Sequence, residues 1–232
     1  CILFWRSFTH WIGGMGVLVF LLSVLPLAGG SHMNLMKAES PGPIVSRLTP
    51  TVQSTAKTLY KIYIAMTLIE IVFLLLGGMS LFDSLTISFG SAGTGGFGVR
   101  NDSMASYSPY LQNVVTISMI LFGINFNVYY LILLKKFRQS VLVEELRWYL
   151  GVIAVSILVI TFNVRPLFGS LGEAFQQSAF QVGSIITTTG YSTTDFNLWP
   201  QASRTILVML MFVGACAGST GGGIKVSRFV IL

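Results

Sequence analysis

Apolar residues dominate five stretches of the chain, about Phe8–Ala28, Ile62–Leu76, Tyr110–Leu134, Trp148–Val164 and Thr205–Val213. No Lys, Arg, Asp or Glu occurs between Ser7 and Met36, enough for the ~20 residues of a bilayer-crossing helix. Trp5, Arg6, His10 and Trp11 form an interfacial belt at the start of this first stretch. Gly13, Gly14 and Gly16 give it a thin face for close helix packing. His10 reads as an ion ligand or proton carrier, or as a capped interfacial histidine, with the second reading preferred. A polar connector, Gly29–Lys61, is extended or turn-like about Pro41 and Pro43. Helix is predicted to resume with Thr49 as N-cap and Pro50 at the first helical position. The second stretch holds one charge, Glu70, which is costly at membrane depth and must face protein or water. It is either an ion-pathway carboxylate or, preferably, a hydrogen-bond partner between helices. The third stretch carries no formal charge and reads as one span, with Asn125 and Asn127 either touching the ion or, preferably, bonding between helices, until Lys135-Lys136-Phe-Arg138 ends it. A charged turn, Glu144-Glu145 with Arg147, precedes the fourth, which closes at Arg165-Pro166; Trp199-Pro200 opens the fifth.

Two shorter, semi-polar segments, Phe82–Gly90 and Leu171–Gly183, break this pattern, and each runs into a glycine loop. Against T-V-G-Y-G, the signature of potassium-channel filters, the second loop places Thr188, Thr189, Gly190, Tyr191 and Ser192 on the five positions. The first loop places Thr94, Gly95, Gly96, Phe97 and Gly98 on the same five. In such a loop successive backbone carbonyls point inward and replace an ion's hydration shell. Glycine takes the positive φ that turns a carbonyl where other residues resist. One threonine–glycine–aromatic run carries little weight, because loops are rich in Thr and Gly. The second copy carries the argument. Span, re-entrant helix, glycine loop and span form a unit that occurs twice, and two such loops around one axis would jointly coordinate one ion.

The fifth stretch gives way to Gly214-Ala-Cys-Ala-Gly-Ser-Thr-Gly-Gly-Gly-Ile-Lys225 after too few residues to have crossed. Glycines at 214, 218, 221, 222 and 223 cannot continue a stable helix, since each costs ~1 kcal/mol relative to Ala. Irregular backbone at membrane depth is tolerated only where it is buried in protein or lines a water-filled cavity. The run is therefore expected in the conduction pathway, just under the filter, with Gly214, Gly218, Ser219, Thr220, Gly221, Gly222, Gly223 and Lys225 as its candidate gating residues. A nucleotide-binding P-loop is excluded by spacing, because Ile224 separates Gly223 from Lys225 and Val226 follows. A serine hydrolase built on Ser219 is equally poor: the two histidines, His10 and His32, offer no plausible dyad.

Composition agrees with a polytopic all-α membrane protein. A mean hydropathy of +0.76, with 53% hydrophobic and 9% charged residues, is far from the ~25% charge of soluble domains. The formal net charge of +6 reads as topology rather than nucleic-acid binding. Lys37, Arg47, Lys57, Lys61, Lys135, Lys136, Arg138, Arg147, Lys225 and Arg228 collect on one side, and only Arg6, Arg100, Arg165 and Arg204 on the other. The richer side is expected to be cytoplasmic, which sets both glycine loops at the outer face. Cys1 and Cys216 are too few for a disulfide framework or a metal site. The chain opens on Cys1-Ile-Leu-Phe-Trp and closes on Phe229-Val-Ile-Leu232, both apolar, so it reads as a segment of a longer protein.

Five motifs, RSFTHWIGGMGV, AESPGP, GTGGFGVRND, TTTGYSTTDF and GACAGSTGGGIK, together resemble the TrkH/KtrB/HKT superfamily of potassium transporters along essentially the whole chain. That resemblance implies four helix–pore loop–helix repeats around a central ion pore. Residues 1–30 would be the second helix of repeat one and 31–61 a cytoplasmic connector. Residues 62–138 would be repeat two, and 139–232 an incomplete repeat three with a broken second helix. It further implies potassium as the transported ion, held by the backbone carbonyls of Gly96 and Gly190, with no covalently bound cofactor and no catalysed reaction. A multi-pass location in the plasma membrane, a homodimer and a cytoplasmic ring of nucleotide-binding regulatory subunits also follow from the resemblance. The competing readings are a sodium-coupled alternating-access symporter with broken helices and a structural membrane subunit without transport.

Overall fold

The computed structural model describes residues 2–14, 16, 52–136, 138, 140 and 143–231. The expectations for Pro41, Pro43, Thr49 and Pro50, and for most of the first stretch and the connector, lie outside these residues. The α-helices among the described residues are α1 (Ile2–Gly14), α2 (Val52–Leu76), α3 (Leu81–Ala92), α4 (Pro109–Phe122), α5 (Phe126–Leu133), α6 (Glu144–Val164), α7 (Leu171–Ile186), α8 (Gln201–Phe212) and α9 (Val226–Ile231). Their one β feature is an isolated parallel bridge between Val213 and Ile224.

Two long helices and one bent pair account for the membrane-crossing lengths among the described residues. Lys57–Leu76 and Glu144–Leu167 are long and apolar enough to span, and α4 with α5 passes only as a pair. Their outward faces stay apolar, with Leu68, Val72 and Leu76 of α2 and Val155, Leu158 and Phe162 of α6 all exposed. Such faces belong against lipid or further protein. α8 is a 12-residue helix, half a span, as the glycine run after it predicts.

α3 and α7 are the semi-polar segments, and both begin in the same way. Ser80 Oγ accepts the Asp83 N–H at 3.1 Å, and Ser170 Oγ accepts the Glu173 N–H at 3.1 Å. A serine cap with an acidic residue three positions on satisfies an orphan amide and opposes the positive end of the helix dipole. Both helices therefore start polar and deliver their negative C-termini to the glycine loops.

Packing repeats as well. α2, α3 and α4 touch one another, and so do α6, α7 and α8. Each semi-polar helix also rests on a helix that precedes its triad in the chain, α3 on α1 and α7 on α4. Apolar side chains fill these seams, Ile153, Ile160, Val182 and Leu207 in the second triad and Leu74, Ile87, Val115 and Met119 in the first.

The third stretch departs from the expected continuous span. α4 stops at Phe122, α5 starts at Phe126, and their axes meet at 91°. Among the described residues Asn125 does not bond between helices; it caps α5, its Oδ1 accepting the Asn127 N–H at 2.9 Å. The backbone groups freed by the break find partners in the glycine run. Phe126 N–H donates to Gly218 O at 3.0 Å, and Gly123 O accepts from Cys216 N–H at 3.1 Å. A break with buried amides is tolerated because a second irregular segment satisfies it.

Candidate functional site

Both glycine loops adopt one backbone pattern, ninety-four positions apart in the numbering. In the first, Gly93 N–H bonds Phe89 O at 2.9 Å, Thr94 N–H bonds Ser91 O at 3.3 Å and Gly95 N–H bonds Gly90 O at 2.7 Å. In the second, Thr187 N–H bonds Gly183 O at 3.2 Å, Thr188 N–H bonds Ile185 O at 3.0 Å and Thr189 N–H bonds Ser184 O at 3.0 Å. Left-handed backbone follows at matching places: φ is +51° at Thr94 and +59° at Thr188, then +66° at Gly96 and +92° at Gly190. A non-glycine residue at positive φ is strained, so two threonines held there at equivalent positions mark a constrained segment. Left-handed residues at alternate positions are the backbone device that brings successive carbonyls to one side of a loop, where an extended strand would alternate them.

The two loops approach each other closely at Gly96. A Cβ on Gly96 would run into the Thr189 carbonyl and come within 2.9 Å of the Gly190 carbonyl carbon, whereas one on Gly190 meets nothing within 4 Å. Space demands glycine at 96 and backbone conformation demands it at 190.

The aromatic positions differ in what holds them. Tyr191 is 1% exposed. Its hydroxyl donates to Ile87 O on α3 at 3.1 Å, and its carbonyl accepts from Ser184 Oγ at 2.5 Å. It thus pins the second loop to the helix that carries the first. Phe97 is 44% exposed and lies under the Arg6 guanidinium, 4.5 Å from ring centre to Cζ, with the His10 ring 5.3 Å away. α1 runs antiparallel to the first loop. A Cβ on Gly14 would sit 2.7 Å from Gly93 Cα, one on Gly95 would sit 2.9 Å from the His10 ring, and Arg6 reaches Gly98 O at 3.5 Å. His10 therefore packs on the loop wall. Beyond the loops, Met104 N–H donates to Ser192 O at 2.9 Å and Ser192 N–H to Ser103 Oγ at 3.2 Å. Gln112 of α4 joins both sides, donating to Met104 O at 3.0 Å and accepting from Gln176 of α7 at 3.0 Å.

The glycine run lies against the threonine end of both loops. Gly222 N–H donates to Thr188 Oγ1 at 2.7 Å, and Thr94 Oγ1 donates to Thr220 O at 3.3 Å. The threonines that open the two loops thus hold the same third segment. The run is folded back on itself, its base closed by Gly214 N–H to Ile224 O at 2.8 Å and Val226 N–H to Ala215 O at 3.3 Å. A Cβ on Gly214 would collide with Gly222 O, which fixes glycine at that close approach. Ala215, Cys216 and Ala217 are buried, while Gly222 to Ile224 are exposed. Ser219 Oγ donates to Cys216 O at 2.6 Å, and Lys225 Nζ donates to Gly221 O, so the lysine bonds back into its own loop.

All the residues singled out in the two loops and the glycine run converge on one region. Three partners were missed. Glu145, read as part of a charged turn, accepts the Ala217 N–H at 2.6 Å. Phe122 and Gly123 present their carbonyls to the run, Phe122 O accepting from Thr220 N–H at 3.4 Å and Thr220 Oγ1 at 3.2 Å. The Gly123-Ile-Asn125 sequence, a helix stop followed by a cap residue, was the available signal. Glu70 is 2% exposed, and its carboxylate lies beside the Ser91 and Ser118 hydroxyls without a well-formed hydrogen bond among the described residues.

This fold and site define a polytopic helical membrane protein built from helix, re-entrant helix, glycine loop and helix. The chain belongs to the TrkH family of cation transport proteins, which it matches over residues 1–232. It is 34% identical over 242 residues to the Trk system potassium uptake protein TrkH of Vibrio parahaemolyticus, covering 100% of this chain and 49% of that protein. It is 35% identical over 234 residues to the Trk system potassium uptake protein TrkG of Escherichia coli, covering 99% and 48%. The crystal structure of the potassium transporter TrkH from Vibrio parahaemolyticus superposes with a TM-score of 0.78 at 31% identity, over 99% of this chain and 47% of that one. The chain spans about half the length of the relatives it matches.

Proposed function

We propose that this chain carries two filter loops and the intramembrane gate of a potassium uptake protein of the plasma membrane. The observation that carries the proposal is the shared backbone pattern of the two loops, left-handed at Thr94 and Thr188 and again at Gly96 and Gly190, with one glycine run bonded to both. Carbonyls turned to one side along such loops replace the hydration shell of a dehydrated cation. The C-termini of α3 and α7 add partial negative charge on the same side. Residues 94–97 and 188–191 act as the filter, with potassium at the Gly96 and Gly190 carbonyls, and the run 214–225 obstructs the path at its inner end. Residues 62–138 and 139–232 act as successive repeats, with 1–30 ending the repeat before them. Membrane lipid surrounds the outer faces. A homodimer and a cytoplasmic nucleotide-binding ring complete the assembly in this reading, which names no nucleic-acid partner. The sodium-coupled alternative is disfavoured by two re-entrant loops that repeat one backbone pattern, an arrangement that suits a pore.

The test is rubidium uptake into proteoliposomes holding the whole membrane protein, with potassium, sodium and lithium as competitors. Potassium should displace rubidium at concentrations far below those sodium or lithium need. Equal competition by sodium, or rubidium uptake that stops without a sodium gradient, would refute the reading.

A further inference from the structure

The glycine run is held at several points, and nearly all of them are neutral. Phe122 O, Gly123 O and Phe126 N–H at the α4–α5 break are backbone groups, and Thr94 and Thr188 contribute hydroxyls. Glu145 is different. It sits in the first turn of α6, seventy-two positions away in the numbering, and its Oε1 accepts the Ala217 N–H at 2.6 Å. A carboxylate accepting an amide proton makes a shorter and stronger bond than neutral groups do. It also bonds the buried stem of the run, beside Cys216, rather than the exposed tip at Gly222 to Ile224.

We propose that Glu145 is the latch that holds the run 214–225 across the inner end of the filter, joining the start of α6 to the gate. The inference rests on the gating role proposed above for that run. Its geometry gives the latch a mechanical meaning. In the sequence α6 follows α5 after ten residues that include the basic run Lys135-Lys136-Phe-Arg138. Any displacement of the α6 N-terminus moves the carboxylate away from Ala217, and the loop loses the charged anchor that reaches it from outside the run, leaving only Lys225, which bonds back into the run itself. The bonds inside the two loops, at Gly93 to Gly95 and at Thr187 to Thr189, do not involve the run, so the filter keeps its shape while its inner end opens. Glu145 is thus a positioning residue: it touches neither filter loop, and acts on ion flow through the run.

Two readouts on the whole protein in proteoliposomes test the proposal. The first is the rate at which a small thiol reagent modifies Cys216, followed by peptide mass spectrometry on folded protein. Cys216 is buried at 0% exposure and precedes the latched amide. The second is rubidium flux per folded molecule. Loss of a hydrogen bond to a carboxylate shifts a two-state equilibrium by roughly tenfold to a hundredfold. Glu145→Ala should raise both readouts by at least tenfold with discrimination against sodium retained. Glu145→Gln keeps the acceptor oxygen without the charge and should fall between. It also carries the test if the alanine variant does not fold. Unchanged Cys216 modification in both variants would overturn the latch. Faster modification with unchanged flux would leave Glu145 holding the run but overturn its role in gating, and with it the gating role of the run.

Discussion

Replacing Gly96 by alanine sets a methyl group against the Thr189 carbonyl of the facing loop. The new Cβ has no room, since the Gly190 carbonyl carbon also lies within 2.9 Å of it. Backbone φ there is +66°, and an L-residue in the left-handed region costs ~1–2 kcal/mol. Forcing an extra carbon into a packed site costs a further ~1–3 kcal/mol. The variant therefore carries ~2–5 kcal/mol of strain, relieved only if the Thr189 carbonyl moves. Gly190→Ala makes the natural control. Its φ is +92°, but its Cβ meets nothing, so only the conformational cost of ~1–2 kcal/mol applies. That corresponds to a fall in apparent ion affinity of roughly 5- to 30-fold if the strained loop leaves its selective shape. Gly96→Ala should exceed it by at least about fivefold, with poorer discrimination between rubidium and sodium. The assay is rubidium uptake against concentration, with sodium as competitor, in proteoliposomes normalised to folded protein. Equal effects at the two glycines would refute the steric argument, and wild-type affinity in both would remove the loops from the filter.

Tyr191→Phe deletes the hydroxyl that reaches Ile87 O; because Ser91 Oγ also donates to that carbonyl, the loss should be only ~0.5–1.5 kcal/mol, read as a lower unfolding midpoint in detergent. A midpoint loss corresponding to several kcal/mol would mean that the hydroxyl does more than pin the loop. A single cysteine at Ser106 should be labelled from outside and one at Lys136 from the cytoplasm, both positions being exposed; the reverse pattern would invert the orientation.

Where each feature was legible in the sequence depends on whether its cause is local. The helix that ends at Phe212 is stopped by its own glycines, and the loops at 94–98 and 188–192 repeat a pattern of residue types. These are visible in one dimension. The break between α4 and α5 is not. Gly123 and Asn125 sit in an apolar run that a bilayer would accept as a straight helix, and the bend holds because Cys216, Gly218 and Thr220 satisfy its freed backbone groups. That partner lies about a hundred positions away. Glu145 escaped for the same reason: a carboxylate at a helix start has a sufficient local explanation in the helix dipole, and its bond to Ala217 exists only after folding. The equivalence of Phe97 and Tyr191 held in backbone register but not in burial, because Tyr191 has α3 to lean on while Phe97 meets Arg6 and His10 of α1.

Excising Ala217 to Gly222 tests the central claim most directly. The cut removes the bonds to Glu145, Thr188 and Thr94, together with those of Gly218 and Thr220 to the α4–α5 break, where Gly123 O keeps its bond from Cys216 N–H. It leaves the base of the run, where Gly214 N–H meets Ile224 O and Val226 N–H meets Ala215 O. A Cβ on Gly214 would lie only 2.9 Å from Gly223 Cα, so a short join from Cys216 to Gly223 stays within reach of the closed base. The measurement is rubidium flux per folded molecule in proteoliposomes. If the run obstructs the pathway beneath the filter, flux rises and discrimination against sodium is kept, because the loops at 94–97 and 188–191 are untouched. Flux at or below the wild-type value, in protein that folds normally, would contradict the account and leave the run as a packing element.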